Sequence, residues 1–449
     1  MVRHTIRTAA RAAALFAASA LGLALFGCAG DSRPEAGDGV ERAAEEPQVA
    51  ITFWRNSGND AENAAYERLI STFMARHPGI RVEMTPIPYS GYDTKLRASI
   101  ASGNPPDVMT IDAPNMASYV EADALEPLTE RFAAEGNADD IPASTLSAYM
   151  YQGDMYMAPL TESSIALFYN KKMFEEKGIP LPSKDPDRPM TWDQVLDAAI
   201  RLTDREKGIY GIDPAQGFQN AGATAYFKYP IIWQFGGEVM NPEGTSARGY
   251  LDSPETKQAI RFYVDLYHKH KVSAFEYPPD PFPNGKLGMT VEGSWTLSHY
   301  AANFPDFELG DDYDIAPLPK AAKQAVANGS WALAISSASK KKDAAWTFVN
   351  WITGYEGQKL YVSITKDIPA RYSVAKEIPE LNEYPKNIFV AQNQKFGRSR
   401  PITPIFPQMS EAVNRMFEET TIGRDDIDAA IAEAVDAIDA AYADLHAQQ

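Results

Sequence analysis

The sequence predicts an α/β fold of mainly parallel sheets flanked by helices, in a chain long enough for about two domains. Strand-like and helix-like segments alternate with short loops over residues 49–115, which is typical of right-handed β-α-β crossovers. The 449 residues suffice for about two domains at the usual ~100 to 200 residues each. With 45% hydrophobic and 23% charged residues, the chain can build sizeable cores and remain soluble.

The alternating elements can be assigned in order from residue 49. Residues 49–54 form an apolar, β-rich run, and residues 56–60 combine loop and helix-start residues. A helix follows, because apolar residues recur at helical spacing before a His-Pro-Gly stop at 77–79; they are Tyr66, Leu69, Ile70, Phe73 and Met74. Next come a strand over 80–87, a helix over 92–102 and a strand over 106–111.

The remainder of the chain predicts a second lobe and a terminal helix. From about Glu162, helical patterns continue but are joined by aromatic-rich segments and many prolines. Residues 427–438 place their apolar side chains on one helical face, and Asp425 and Asp426 lie near the helix N-terminus, where negative charge is favourable.

Two segments of the first lobe are predicted to lie at a ligand-binding edge. Open parallel sheets bind ligands at the carboxyl ends of their strands. Residues 54–57 follow the first predicted strand, and residues 112–115 follow the third.

The N-terminus has the pattern of an export signal. Arginines and a histidine precede an uncharged stretch over residues 12–30. Cys28, the only cysteine of the chain, follows Leu25-Phe26-Gly27, and here the sequence resembles a bacterial lipoprotein precursor. That resemblance implies a signal peptide at 1–27 and acyl chains such as palmitate on Cys28; an acidic, flexible tether over 28–48 is predicted from its composition. Ordinary signal cleavage and an uncleaved membrane helix are alternatives, and all three place the body outside the cytoplasm.

Several classes of function are disfavoured by charge and by missing motifs. A net charge of −18 without a basic block makes nucleic acid an unlikely partner. The chain has no phosphate-binding glycine loop, no HExxH and no GxSxG. We therefore expect no cofactor, no metal and no catalytic residue.

Tryptophans beside small residues are the most specific candidates for ligand contacts. Trp295 and Trp331 each follow Gly-Ser, which lets the backbone pass closely and a ring project into a cleft. A Trp beside Gly also fits a core position. Tyr226 and Trp233 occur at helical spacing, which fits either a helix face packed in the core or a surface that contacts ligand. The helical contexts of Trp192, Trp346 and Trp351 predict core positions.

The order of several segments resembles the family 1 extracellular solute-binding proteins of ABC transporters, of the maltose-binding-protein-like sugar-binding type. The matching segments are 51–54 (ITFW), 103–109 (GNPPDVM), 158–160 (APL), 167–171 (LFYNK), 233–238 (WQFGGE), 284–295 (NGKLGMTVEGSW), 316–319 (APLP) and 407–409 (PQM). Together they cover nearly the whole chain after the tether.

The resemblance implies two lobes joined by a hinge, with an intact ligand held in the cleft between them. One lobe would take residues 49–161 and 328–363, and the other 162–327 and 364–449. Matching by motif, it implies ligand contacts at Trp54, Asn56, Ser57, Asp112, Glu162, Ser163, Tyr226, Trp295, Trp331 and Arg371. It further implies a sugar ligand, a monomeric protein, and delivery to a membrane permease that works with a cytoplasmic ATPase.

Two other classes of function fit the same residues. A glycoside hydrolase also combines cleft aromatics with carboxylates, and would need two carboxyl groups ~5 to 9.5 Å apart, one with a raised pKa. A binder of a polyamine, glycerophosphodiester or peptide is the other. Several acidic cleft residues would favour a cation, and clustered arginines a phosphate.

Overall fold

The computed structural model describes residues 48–216, 225–424 and 426–447. The predicted signal peptide, Cys28 and all but the last residue of the predicted tether lie outside these residues. Within the described ranges, we find no helix with both the length and the apolarity needed to cross a membrane.

Strands and helices alternate through the described chain. The strands are β1 (Val49–Ser57), β2 (Ile80–Pro88), β3 (Val108–Asp112), β4 (Met150–Tyr151), β5 (Asp154–Met155), β6 (Met157–Pro159), β7 (Thr161–Glu162), β8 (Ile165–Asn170), β9 (Tyr210–Asp213), β10 (Leu287–Gly293), β11 (Tyr313–Ala316), β12 (Val326–Ala327), β13 (Trp331–Ile335), β14 (Ile368–Pro369) and β15 (Gly397–Arg398). The helices are α1 (Asp60–Arg76), α2 (Tyr89–Ala101), α3 (Met116–Glu121), α4 (Thr129–Glu135), α5 (Ala143–Ser147), α6 (Lys171–Glu176), α7 (Trp192–Leu202), α8 (Tyr229–Phe235), α9 (Pro254–His268), α10 (Thr296–Asn303), α11 (Lys342–Thr353), α12 (Tyr355–Thr365), α13 (Tyr372–Ala375), α14 (Lys386–Phe396), α15 (Phe406–Glu418) and α16 (Ile427–Ala447).

Two larger sheets organise these elements. The first has five strands in the order β2-β1-β3-β13-β6, and the second has four in the order β11-β8-β10-β9. Alternate residues of the first sheet enter separate cores on its two faces. One core contains Ile51, Phe53, Val108, Leu333 and Ile335, and the other contains Met109, Ile111, Met157, Ala332 and Ala334. The second sheet likewise separates two cores, so each sheet is a middle layer covered on both faces.

Strand direction in these sheets departs from the simple alternation expected from the sequence. In each sheet all strands but one run the same way; β13 is reversed in the first sheet and β8 in the second. Both reversed strands come directly after a short strand outside either large sheet, β12 and β7 respectively. In both cases the chain has just crossed over from the other large sheet. The reversed strand therefore starts at the edge of its sheet where the neighbouring strands end.

Local chemistry accounts for the element boundaries. Asn59 caps α1, because its side chain accepts a hydrogen bond from the Glu62 backbone N–H at 2.9 Å. The predicted first strand ended at residue 54, but β1 continues to Ser57 because β2 pairs with it over its full length. Asn56 and Ser57 therefore belong to a strand end rather than to a loop.

Candidate ligand-binding cleft

The carboxyl ends of β1 and β3 lie side by side, as the sequence predicted. Asn56, near the end of β1, is buried, and its side-chain oxygen accepts a hydrogen bond from the Thr110 hydroxyl at 3.1 Å. Ser57 and Trp54 are half-buried, and the Lys95 ammonium lies 5.2 Å from the centre of the Trp54 ring. These contacts fix the first-sheet side of the site.

Asp112, the last residue of β3, is bound by a residue that the sequence analysis missed. Two nitrogens of Arg400 donate hydrogen bonds to the two carboxylate oxygens of Asp112, at 2.8 and 2.7 Å. Both side chains are buried, and such a bidentate charge-assisted pair is strong and geometrically specific. Burial disfavours the guanidinium charge, but the Asp112 carboxylate outweighs this effect and raises the pKa of Arg400.

Arg400 lies just after β15, 288 residues from Asp112 in sequence. Its guanidinium lies 4.9 Å from the centre of the Tyr226 ring, and its Nε atom is buried without a hydrogen-bond partner. A surplus buried donor at this position is available to a ligand or to water. The local sequence Arg398-Ser399-Arg400-Pro401 has no motif that could have indicated the distant partner.

Glu162 and Ser163 lie where the chain passes from the first sheet to the second, and Tyr226 contacts Ser163 there. The hydroxyls of Ser163 and Tyr226 are 3.3 Å apart, and Tyr226 donates to the Ala327 carbonyl at 3.1 Å. Ser163 also donates to the Gly329 carbonyl. Burial raises the pKa of the neighbouring Glu162 to about 6, although hydrogen bonds from two polar side chains oppose this rise.

Trp331 begins β13 and pairs in register with Asp112. It is half-buried, and its ring meets the edges of Tyr89 and Tyr92 at centroid distances of 6.0 and 5.5 Å. Tyr92 in turn donates to the Thr110 carbonyl at 2.7 Å, which links Trp331 to β3. An aromatic surface thus borders the Asp112–Arg400 pair on the side of the first sheet.

Trp295 provides an exposed ring on the side of the second sheet. It is 36% exposed, and its ring centre lies 6.3 Å from those of Tyr226 and Phe227. The backbone carbonyl of Trp295 is 3.5 Å from the Asn59 amide nitrogen, a weak contact between α10 and the start of α1. Trp295 therefore lies where a helix packed on the second sheet meets a helix packed on the first.

Arg371 lies apart from this group. Its guanidinium donates to the carbonyls of Thr353, Asn137 and Gly136 and lies 3.6 Å from Asp140. With the side chain 2% exposed, these contacts favour a structural role. The contacts above connect six of the other predicted site residues: Asn56, Asp112, Ser163, Tyr226, Trp295 and Trp331. Trp54 and Ser57 lie on β1 beside Asn56, and Glu162 ends β7 next to Ser163. Among the described residues, no group of three or more His, Cys, Asp or Glu side chains is placed to hold a metal ion.

Comparison with known proteins identifies the class of protein that this fold and site define. A model of the bacterial extracellular solute-binding protein family matches residues 57–359, about two thirds of the chain. The chain belongs to this family. A putative binding protein from Brucella abortus is 23% identical over 84% of this chain and 89% of its own length. A maltotriose-binding protein from Pyrococcus abyssi is 24% identical over 68% of this chain and 62% of its own length.

A solved structure is similar over most of the described chain. An ABC transporter solute-binding protein from Thermotoga lettingae, bound with α-D-tagatose, is 28% identical and superposes with a TM-score of 0.77, covering 88% of this chain and 99% of its own. The predicted two-lobed α/β fold is thereby confirmed. Because the family consists of binding proteins, the prediction that the chain is not an enzyme is confirmed by membership, and the hydrolase alternative is rejected.

Proposed function

We propose that the protein is the extracytoplasmic sugar-binding subunit of an ABC importer. The observation that carries the proposal is the buried Asp112–Arg400 pair, bordered by Trp331 on one side and by Tyr226 and Trp295 on the other. Aromatic rings can cover the apolar C–H face of a sugar, while carboxylate, guanidinium and hydroxyl groups bond its hydroxyls. The sugar-binding relatives described above support the same substrate class.

The charge of the site favours an uncharged ligand over the other solutes considered. The Asp112 carboxylate and the Arg400 guanidinium neutralise each other through two hydrogen bonds. An anion would have to compete with Asp112 for the guanidinium, and a cation would compete with Arg400 for the carboxylate. A hydroxyl can donate to one member and accept from the other without separating them. We include Trp54, Asn56, Ser57, Glu162 and Ser163 in the proposed site, add Arg400, and omit Arg371.

The mechanism we propose is closure of two lobes around the sugar. The lobes are those predicted above, residues 49–161 with 328–363 and residues 162–327 with 364–449. A ligand that touches both lobes makes all of its contacts only in the closed form, so it shifts the population towards closure by its differential affinity. A permease would recognise the closed form, and no bond of the sugar would change.

The membrane attachment belongs to the same proposal. Cys28 would carry the lipid, since several acyl chains give stable anchoring where one alone is marginal. We expect mass spectrometry of the membrane-extracted protein to find acylated Cys28 as the first residue. A free Cys28 thiol in that sample would contradict lipidation and leave sugar binding untouched.

Calorimetry or thermal unfolding against a sugar panel tests the function directly. A sugar at 100 times its Kd should add ~2.7 kcal/mol to the unfolding free energy. The panel should include polyamines and glycerophosphodiesters beside neutral sugars, and chromatography should recover the sugar intact. Stabilisation by a charged solute alone, or recovery of a cleaved sugar, would overturn the proposal.

A further inference from the structure

A cavity lined in part by Trp295 lies beside the proposed cleft. Its volume is about 530 Å³, within the ~300 to 1,000 Å³ typical of small-ligand pockets. It lies between α10 and the proline-rich segment 278–283, and the ends of β9 and β10 form its floor. Asn59, at the start of α1, reaches its rim, so the cavity is lined from both sides of the junction between the lobes.

The polar floor of this cavity follows from strand register. Asp213 of β9 pairs with Thr290 of β10, and Glu292 lies two residues further along β10. Paired residues in a parallel sheet share a face, and so do residues two apart, which brings these three side chains together. Gln216 donates to Glu292 at 2.6 Å, and Thr290 donates to it at 3.2 Å. These bonds hold the Glu292 carboxyl in one orientation within the cavity.

Aromatic side chains form much of the remaining wall. Trp295, Tyr277 and His299 all line the cavity. Trp295 also faces Tyr226 and Phe227, so one ring borders both this cavity and the proposed sugar cleft. A molecule in the cleft could therefore extend past Trp295 into the cavity.

The electrostatics of the cavity suit hydroxyl groups. Its lining contains no Lys or Arg among the described residues, which disfavours an anion. Of the three carboxyl groups in the lining, that of Asp280 is exposed to water. Burial lowers the pKa of Lys228 to about 8, and the Asp213 carboxylate opposes this shift, so the two charges attract each other. Burial, followed by the charge of Asp213, raises the pKa of Glu292 to about 8, so at neutral pH this carboxyl keeps a proton that it can donate. A protonated carboxyl beside an amide presents both a donor and an acceptor, as a sugar hydroxyl does.

We propose that this cavity is a second carbohydrate subsite, which binds a neutral sugar ring through Glu292, Gln216 and the ring of Trp295. The proposal rests on the proposed sugar-binding function and deepens it. The ligand is then an oligosaccharide of at least two units, with one unit in the cleft beside Asp112 and Arg400 and the next in the cavity.

Two series of sugars with one, two and three units test this subsite. The probes are glucose, maltose and maltotriose, together with mannose, mannobiose and mannotriose, titrated calorimetrically into the wild-type protein. We expect a disaccharide or trisaccharide to bind at least about tenfold tighter than its own monosaccharide. Equal affinity of a monosaccharide and its oligomers would overturn the subsite and leave the receptor function standing. Absence of binding in both series would count against both proposals.

Variants of Glu292 then test whether the tighter binding of oligosaccharides comes from the cavity. Glu292→Ala should remove most of the oligosaccharide advantage and leave monosaccharide affinity within about twofold, which also shows that the variant is folded. Glu292→Gln should retain much of the advantage, since an amide keeps one donor and one acceptor. The control is Glu308→Gln, an exposed carboxyl in the loop after α10 that does not line this cavity. An oligosaccharide advantage that survives in Glu292→Ala would refute the assignment.

Discussion

At residue 293 the ring of Trp295 leaves no space for a side chain, because a Cβ atom there would lie 2.3 Å from it. The glycine of the first Gly-Ser-Trp segment therefore allows the ring to fold back against the end of β10. The glycine of the second segment serves differently: Gly329 has φ +100°, a conformation that other residues rarely adopt. The same Gly-Ser-Trp sequence thus occurs twice at the site for two different reasons. Gly293 is needed because the Trp295 ring packs against it, and Gly329 is needed for its positive φ angle.

The exposed ring of Trp295 should contribute directly to sugar affinity. Trp295→Ala should weaken binding of the best sugar by ~1 kcal/mol or more, about fivefold in Kd, because a stacked aromatic surface is lost. Calorimetry measures this change. The matched control is Tyr372→Ala, which removes another exposed ring, at the start of α13. Unchanged affinity in Trp295→Ala would remove this residue from the site.

The Asp112–Arg400 pair joins the end of β3 to the segment that follows β15. Each partner alone would be a buried, uncompensated charge. The pair therefore couples the first sheet to the C-terminal part of the chain, and its integrity should matter for stability as well as for binding.

A double-mutant cycle tests this coupling. Arg400→Ala should lower the free energy of unfolding by ~3 to 5 kcal/mol, because Asp112 is left buried and unpaired. Combining Asp112→Asn with Arg400→Gln should recover part of that loss, since no unpaired charge remains. Denaturant unfolding measures both. The control is Arg188→Ala, which breaks an exposed pair with Asp185 and should change the free energy of unfolding little, because water screens that pair. Asp112→Asn and Arg400→Gln should also be measured singly. If their separate losses of unfolding free energy add up to the loss in the double variant, the pair is not coupled.

The same elements show what could be predicted from sequence. Helical spacing correctly assigned Trp192 and Trp346 to the core, where each is 3% exposed, because periodicity is a local property. The ends of β1 and β3 were also predictable, since alternation determines which strand ends meet. Arg400 was not, because its partner is distant in sequence and no local pattern records the contact. Arg371 was proposed by resemblance alone, and its carbonyl partners become visible only in the folded chain.

The overall electrostatics of the chain favours an acidic optimum of stability. The chain carries a net charge of −18, so deprotonation adds to an existing self-repulsion. Burial also raises the pKa of four carboxyl groups in separate parts of the chain, to about 6 for Glu162, about 7 for Asp367 and about 8 for Glu292, and above its usual value for Glu62. For Asp367, burial is the largest cause, and the charge of Glu62 on α1 adds to it.

We therefore expect stability to fall as the pH rises from about 5 to 8. Between the unfolded and folded pKa of such a carboxyl, the folded state holds a proton that the unfolded state has lost, so each group lowers the free energy of unfolding by up to ~1.4 kcal/mol per pH unit. Denaturant unfolding at constant ionic strength measures the slope. Asp367→Asn should flatten it below about pH 7, whereas Asp306→Asn, which removes an exposed carboxyl, should leave it unchanged. A wild-type stability that rises steadily over this range would contradict the expectation, because the raised pKa values could not then govern the pH dependence.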